Sequence, residues 1–157
     1  MHIEARRFLA FVLLTFGEEY YIEGGKILDV GSLDINGNNR FYFGDCEYVG
    51  CDLTDGPNVT HVGDVQTLDF PKDYFDVVIS TESLVKNTSI ILSSMWKLLK
   101  PGGILVITAP SNKRGGDPGL VDALKAIGAS IYVNDKHNDI YAIATKGKWR
   151  VKEYMYV

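Results

Sequence analysis

The chain has 157 residues, 46% of them hydrophobic and 23% charged, which is enough for one domain with a substantial core. A formal net charge of −4 and a pI near 5.3 give no electrostatic footprint for nucleic acid, although a local basic patch is compatible with that balance. The two cysteines, Cys46 and Cys51, lack zinc-ligand spacing, so no metal is expected and they read as free thiols in a reducing compartment.

The first predicted element is a helix from about Ile3 to Tyr20, with Phe8, Val12 and Phe16 on one stripe and Leu9 and Leu13 beside it. Its apolar run, Phe8 to Leu14, is too short to span a bilayer and no small-residue cleavage pattern follows. No membrane role is therefore expected, and a cytoplasmic location is the default. Gly24-Gly25 ends the helix, and Lys26 to Val30 reads as a buried strand that breaks at Gly31-Ser32-Leu33-Asp34-Ile35-Asn36-Gly37 into a sharp turn. Asp29, two residues before the glycine, is the informative acid. A pyrophosphate-binding turn avoids a carboxylate there, because like charges repel strongly in a partly dry site. Asp29 suits either an ammonium or sulfonium ligand, or a role in capping the turn's own N–H groups.

Between Asp34 and Asp45 little room is left for a helix, since Asn36-Gly37-Asn38-Asn39 is turn chemistry. A second strand, Tyr48 to Leu53, carries Asp52 at its end, 52 − 29 = 23 residues after Asp29. An acid about 20 residues beyond the first turn of a nucleotide-binding sheet holds ribose hydroxyls. Val59 to Val62 is a brief strand with a structural His61, and Gly63-Asp64-Val65 falls where an adenine ring would rest. Phe75 to Ser80 is the fourth strand, and Ser80-Thr81-Glu82-Ser83 lies at its carboxyl end, where parallel sheets bind ligands. Glu82 is a candidate catalytic acid if substrate comes within its reach.

Ile91, Leu92, Met95, Leu98 and Leu99 repeat at helical spacing over Thr88 to Leu99, with Trp96 off the stripe. Lys100-Pro101-Gly102-Gly103 turns the chain into an apolar strand, Ile104 to Thr108, of the kind covered on both faces. In the loop from Ser111 to Gly119, Lys113 and Arg114 read either as contacts for an acidic substrate or as solvated residues. A short helix, Leu120 to Ile127, precedes an antiparallel hairpin of 130–133 and 140–144, with His137 at an exposed tip. The aromatic stretch from Trp149 to Val157 is expected to pack on an edge or on a second subunit.

Taken in order, LDVGS, YVGCD, GDV, FDVVIST and LLKPGGILVIT resemble a class I S-adenosylmethionine-dependent methyltransferase with a type 11-like core, over about Lys26 to Ala109. Each motif alone is weak, and the set in order is strong. The resemblance implies an α/β, Rossmann-like, seven-stranded, mostly parallel sheet with an antiparallel last strand and helices on both faces. It implies a single minimal domain: an N-terminal helix and linker over 1–25, a core over 26–146 and a tail over 147–157. S-adenosylmethionine is the implied cofactor. Asp29, Gly31 and Ser32 would hold its methionine end with Leu33 alongside, Asp52 its ribose, Leu53, Asp64 and Val65 its adenine, and Ser80 the inner wall. In this family a leading helix covers the cofactor, which would bring Tyr20 and Tyr21 towards the site, although amphipathic packing alone accounts for both.

Two departures qualify the match. The first turn of the family has glycines at alternate positions, whereas Leu33 and Ile35 stand here, so Leu33 either points away or narrows the methionine pocket. Val85-Lys86-Asn87 replaces the Glu-His pair of many relatives, and no Asn/Asp-Pro-Pro-Tyr/Phe sequence is present. The catalytic residues therefore stay unassigned. The leading expectation is a methyltransferase for an unidentified acceptor, with an open site suited to a macromolecule or completed by a partner chain, a homodimer included. The alternative is a catalytically silent partner subunit or cofactor-binding module. A nicotinamide-dependent dehydrogenase shares Asp52 but needs the full glycine turn.

Overall fold

The computed structural model describes residues 3–20, 24–134 and 136–147, with the side chains of 16–20 excepted. Helix α1 (Ile3–Tyr20) leads into strand β1 (Lys26–Val30), followed by β2 (Glu47–Asp52), β3 (His61–Val62) and β4 (Phe75–Thr81). Then come α2 (Thr88–Leu98), β5 (Leu99–Pro110), α3 (Leu120–Ala126), β6 (Ser130–Asn134) and β7 (Asp139–Thr145). The seven strands form one sheet in the order β3-β2-β1-β4-β5-β7-β6. β7 runs antiparallel to both neighbours and the remaining pairs are parallel. The strand order reverses between β1 and β4, which places a crevice outside their carboxyl ends.

Strand side chains alternate between faces, and the two faces bury different partners. Leu28, Val78, Leu105 and Ile107 meet Leu92 and Met95 of α2 and Leu120 and Leu124 of α3. Ile27, Val77, Ile79, Ile104 and Val106 meet Leu9, Val12 and Leu13 of α1 together with Phe43. Each such side chain fully withdrawn from water contributes roughly 1.5–3 kcal/mol. This explains why β4 and β5 read as unbroken apolar runs. Trp96, off the α2 stripe, packs half-buried at the margin of the first cluster.

Several boundaries differ from the sequence reading. β5 begins at Leu99, five residues earlier than expected, because Leu99 already pairs with Phe75 before an irregularity restores register at Val77 and Ile104. Its glycines carry the bend rather than ending the element. β3 keeps only two residues, and the stretch before β2 holds a 3₁₀ turn, Arg40–Phe43, that plugs Phe43 into the core. His137 is not free at the hairpin tip: its Nε2 lies 3.5 Å from Glu4 Oε1 of α1.

That contact fixes the direction of α1. Its first residues lie at the carboxyl edge of the sheet, and the chain enters β1 from the opposite edge. At 1.5 Å per residue the Tyr20 backbone is about 25 Å along the helix from Ile3, at the end remote from the crevice. The implied approach of Tyr20 to the site is thereby corrected, and Tyr21 lies outside the described residues. At the remote edge Lys146 Nζ donates to Asp73 Oδ1 (2.6 Å) and to the carbonyls of Trp96 (2.9 Å) and Leu99 (2.7 Å), tying three segments together.

Candidate functional site

The crevice is built on the end of β1. Gly31 takes φ +78°, and its N–H and that of Ser32 both donate to the Cys51 carbonyl (2.8 and 3.1 Å), turning the chain over β2. A Cβ on Gly31 would overlap the Ser83 side chain, so glycine is required for space as well as for φ. Asp52, ending β2, accepts from Leu33 N (3.2 Å) and Thr54 N (3.0 Å). The Leu33 side chain packs over Gly56, where a Cβ would collide with it. Asn58 Nδ2 bonds the Ser32 carbonyl (2.9 Å) and Asp34 N bonds the Pro57 carbonyl (3.0 Å). The turn thus leans on the loop after β2 instead of opening a helix, which is how the chain accommodates Leu33 where the family has glycine.

Asp29 is 1% exposed. Its Oδ2 accepts from the Tyr48 hydroxyl and from Asn39 Nδ2 (3.1 Å), while Oδ1 has no hydrogen-bond partner. Burial pushes its carboxyl up to about 6, against the opposing effect of the two donors. Across the crevice, Ser83 Oγ donates to the Val30 carbonyl (2.9 Å) and pairs with Ser80 Oγ (2.6 Å). Glu82 sits at φ +59°, its N–H held by the Thr108 carbonyl (2.7 Å), and its carboxylate lies 3.8 Å from Arg114 Nη1. The same guanidinium nitrogen pairs with Asp139. Arg114, exposed in its loop, is thus committed to two carboxylates of the chain itself.

These groups line a cavity of about 820 Å³ that includes Asp29, Gly31, Ser32, Leu33, Asp52 and, on the far side, Thr81, Glu82 and Arg114. A smaller pocket of about 170 Å³ holds Leu53, Asp64 and Val65 and shares Gly31, Asp52 and Ser83 with the first as a common wall. Eight of the nine residues singled out from the sequence thus line these two adjoining pockets. Ser80 is the exception. It is fully buried and reaches the groove only through Ser83. Asp64 turns towards Gln66, accepting from its N (2.9 Å) and Nε2 (3.1 Å). Sequence reasoning named Tyr48 in the second strand and Ser83 at the end of the fourth without giving either a role, and it gave Asn39 only as turn chemistry. Asn39 belongs to no motif, and only the strand pairing of β2 with β1 places the Tyr48 hydroxyl beside Asp29.

A switch-point crevice with an acid at the end of each of the first two strands, in this strand order, defines the architecture as a Rossmann-like α/β sheet. The chain belongs to the family described as "Methyltransferase domain", whose model matches residues 28–107, just over half of the sequence. No curated protein sequence matches significantly. Among solved structures it is similar to 1,6-didemethyltoxoflavin-N1-methyltransferase of Burkholderia thailandensis, which holds 1,6-didemethyltoxoflavin and S-adenosylhomocysteine. The TM-score is 0.66 at 18% identity, covering 93% of this chain and 79% of that one. It is also similar to the N-methyltransferase NodS of Bradyrhizobium japonicum WM9 (TM-score 0.63, 14% identity, 92% and 97% covered). A third likeness is to the protein in complex with a methyltransferase activator of Haloferax volcanii (TM-score 0.54, 13% identity, 90% and 94% covered). At such identities the likeness speaks for the fold alone.

Proposed function

We propose that the protein is an S-adenosylmethionine-dependent methyltransferase and that this groove is its cofactor site. The observation that carries the reading is the buried, half-satisfied Asp29 carboxylate set beside Gly31 and Asp52. A cavity-lining carboxylate with an unpartnered oxygen fits a cationic amino-acid group and repels a pyrophosphate. Asp29, Gly31 and Ser32, with Leu33 alongside, would hold the methionine end. Asp52, oriented by two backbone N–H groups, would accept the ribose hydroxyls, and Leu53, Asp64 and Val65 would flank the adenine. Ser80 would act indirectly, by orienting Ser83. When bound, the cofactor supplies an electrophilic methyl group, so the chain's own task is to hold the acceptor in line at near-attack distance. Thr81 and Glu82 present oxygens on the acceptor side, and Arg114 sets the Glu82 carboxylate. Ile3 and Ile35, 58% and 76% exposed at the cavity, suit an acceptor carried on a larger body.

A second reading, a partner subunit without activity of its own, draws on the turn leaning back on Pro57 and Asn58, and on the likeness to a protein that pairs with an activator. Calorimetric titration with S-adenosylhomocysteine tests the first reading. We expect micromolar binding by the wild type, a loss of about tenfold or more in Asp52→Asn, and no heat with NAD. Absence of wild-type binding would overturn it in favour of the partner subunit.

A further inference from the structure

We propose that Asn39, a residue outside every motif of the chain, is a ligand for the ammonium group of the bound cofactor, acting beside Asp29. This rests on the reading of the groove given above. Asn39 lies in the stretch before β2, where turn chemistry and a 3₁₀ turn take the place of a first helix. It is 1% exposed and lines the large cavity. Its amide nitrogen donates in two directions, to Asp29 Oδ2 at 3.1 Å on β1 and to Thr81 Oγ1 at 3.0 Å on β4. Both acceptors are needed to satisfy an NH₂ group, so the amide is locked in one orientation, with Oδ1 as its remaining face.

That Oδ1 is buried and has no hydrogen-bond partner, and neither has Asp29 Oδ1. Native proteins leave few buried acceptors unmet, because each forfeits the hydration it had in the unfolded chain. Here two of them belong to directly bonded neighbours on the wall of one cavity. Among common ligand groups, a compact cation with several N–H donors satisfies both at once. An ammonium has three donors around a single charge, whereas a guanidinium is planar and an alcohol carries one donor. One anionic and one neutral acceptor also suit an ammonium better than two carboxylates would, since the amide adds an acceptor without a second buried charge. Asn39 thereby gives the site a preference for cofactor forms that keep their amino group.

The test compares S-adenosylhomocysteine with its desamino analogue, which lacks only the ammonium, by calorimetry on the full chain. Asn39→Leu is close in size and removes Oδ1. Tyr48→Phe removes the other donor to Asp29 Oδ2 without touching either unpartnered oxygen, and so gauges what loosening Asp29 does by itself. Thermal unfolding of each variant confirms that it is folded. We expect Asn39→Leu to weaken S-adenosylhomocysteine by at least about tenfold, clearly more than Tyr48→Phe, and to leave the desamino analogue within about twofold. An equal loss for both ligands, or a loss no larger than that of Tyr48→Phe, would overturn the role of Asn39 and leave the cofactor reading standing. No binding of S-adenosylhomocysteine by the wild type would remove both.

Discussion

Asp29 carries the clearest energetic signature at the level of single residues. Its carboxyl ionises at about 6 in the folded chain against 3.8 in the unfolded chain, because it is fully buried with one oxygen unmatched. Between those values the folded state binds more protons than the unfolded state, so stability falls as pH rises through the window. About two pKa units correspond to a penalty of about 3 kcal/mol, fully present above pH 6. A cationic ligand reverses this by favouring the ionised form. Two outcomes are therefore expected. Asp29→Asn unfolds at a higher temperature than wild type at pH 7.5 (about, for a buffer above the window) yet binds S-adenosylhomocysteine at least about 100-fold more weakly. In the wild type, affinity for that ligand falls by up to about tenfold per pH unit below pH 6, a slope absent from the variant, as calorimetry at several pH values would show.

At the level of elements, the site depends on two loops being able to cross over β2, and Gly50 permits it. A Cβ there would overlap the Asn58 carbonyl oxygen and Ser32 Oγ, both of which belong to the paired turns. Gly50→Ala is expected to destabilise the fold by about 1–3 kcal/mol in chemical denaturation and to weaken S-adenosylhomocysteine, since Ser32 belongs to the turn proposed to hold it. Unchanged affinity would mean that the two loops are not coupled. The same contrast explains what the sequence disclosed. α1, β1, β4 and α2 were legible because a single periodicity decides each: Leu9, Val12 and Leu13 for the helix, the unbroken run of Val77 to Ile79 for the central strand. The gathering of Asp29, Gly31 and Asp52 at one crevice was legible because strand-end acids and the intervening glycine recur at chemically determined spacing. Asn39 and Tyr48 were not, because their roles arise from which strand pairs with which, a non-local fact. The early start of β5 was hidden for a local reason: Pro101-Gly102-Gly103 has the composition of a stop, yet Phe75 of β4 supplies Leu99 with a partner.

Across the molecule, the two edges of the sheet divide stability from binding. The carboxyl edge leaves polar groups of Asp29 and Asn39 unmet in a cavity, whereas the amino edge spends Lys146 on three acceptors from β4's approach, α2 and β5. Lys146→Met keeps the apolar stem but removes the donor to two carbonyls and one of the two lysines beside Asp73, which keeps Lys72. It is expected to lower stability measurably, chiefly through the two carbonyls left without their donor. Because the site lies at the opposite ends of the strands, the ligand's effect should be preserved. S-adenosylhomocysteine at about 100 times its dissociation constant adds about 2.7 kcal/mol to any folded form that binds it, and about 5–10 °C to the midpoint of a chain this long. Differential scanning calorimetry of wild type and Lys146→Met, with and without ligand, should give two midpoints displaced by the mutation and an equal ligand shift in each. A smaller shift in the variant would show that the edges communicate through β4 and β5, whose packed core would then transmit strain from the lysine cluster to Thr81 and Glu82.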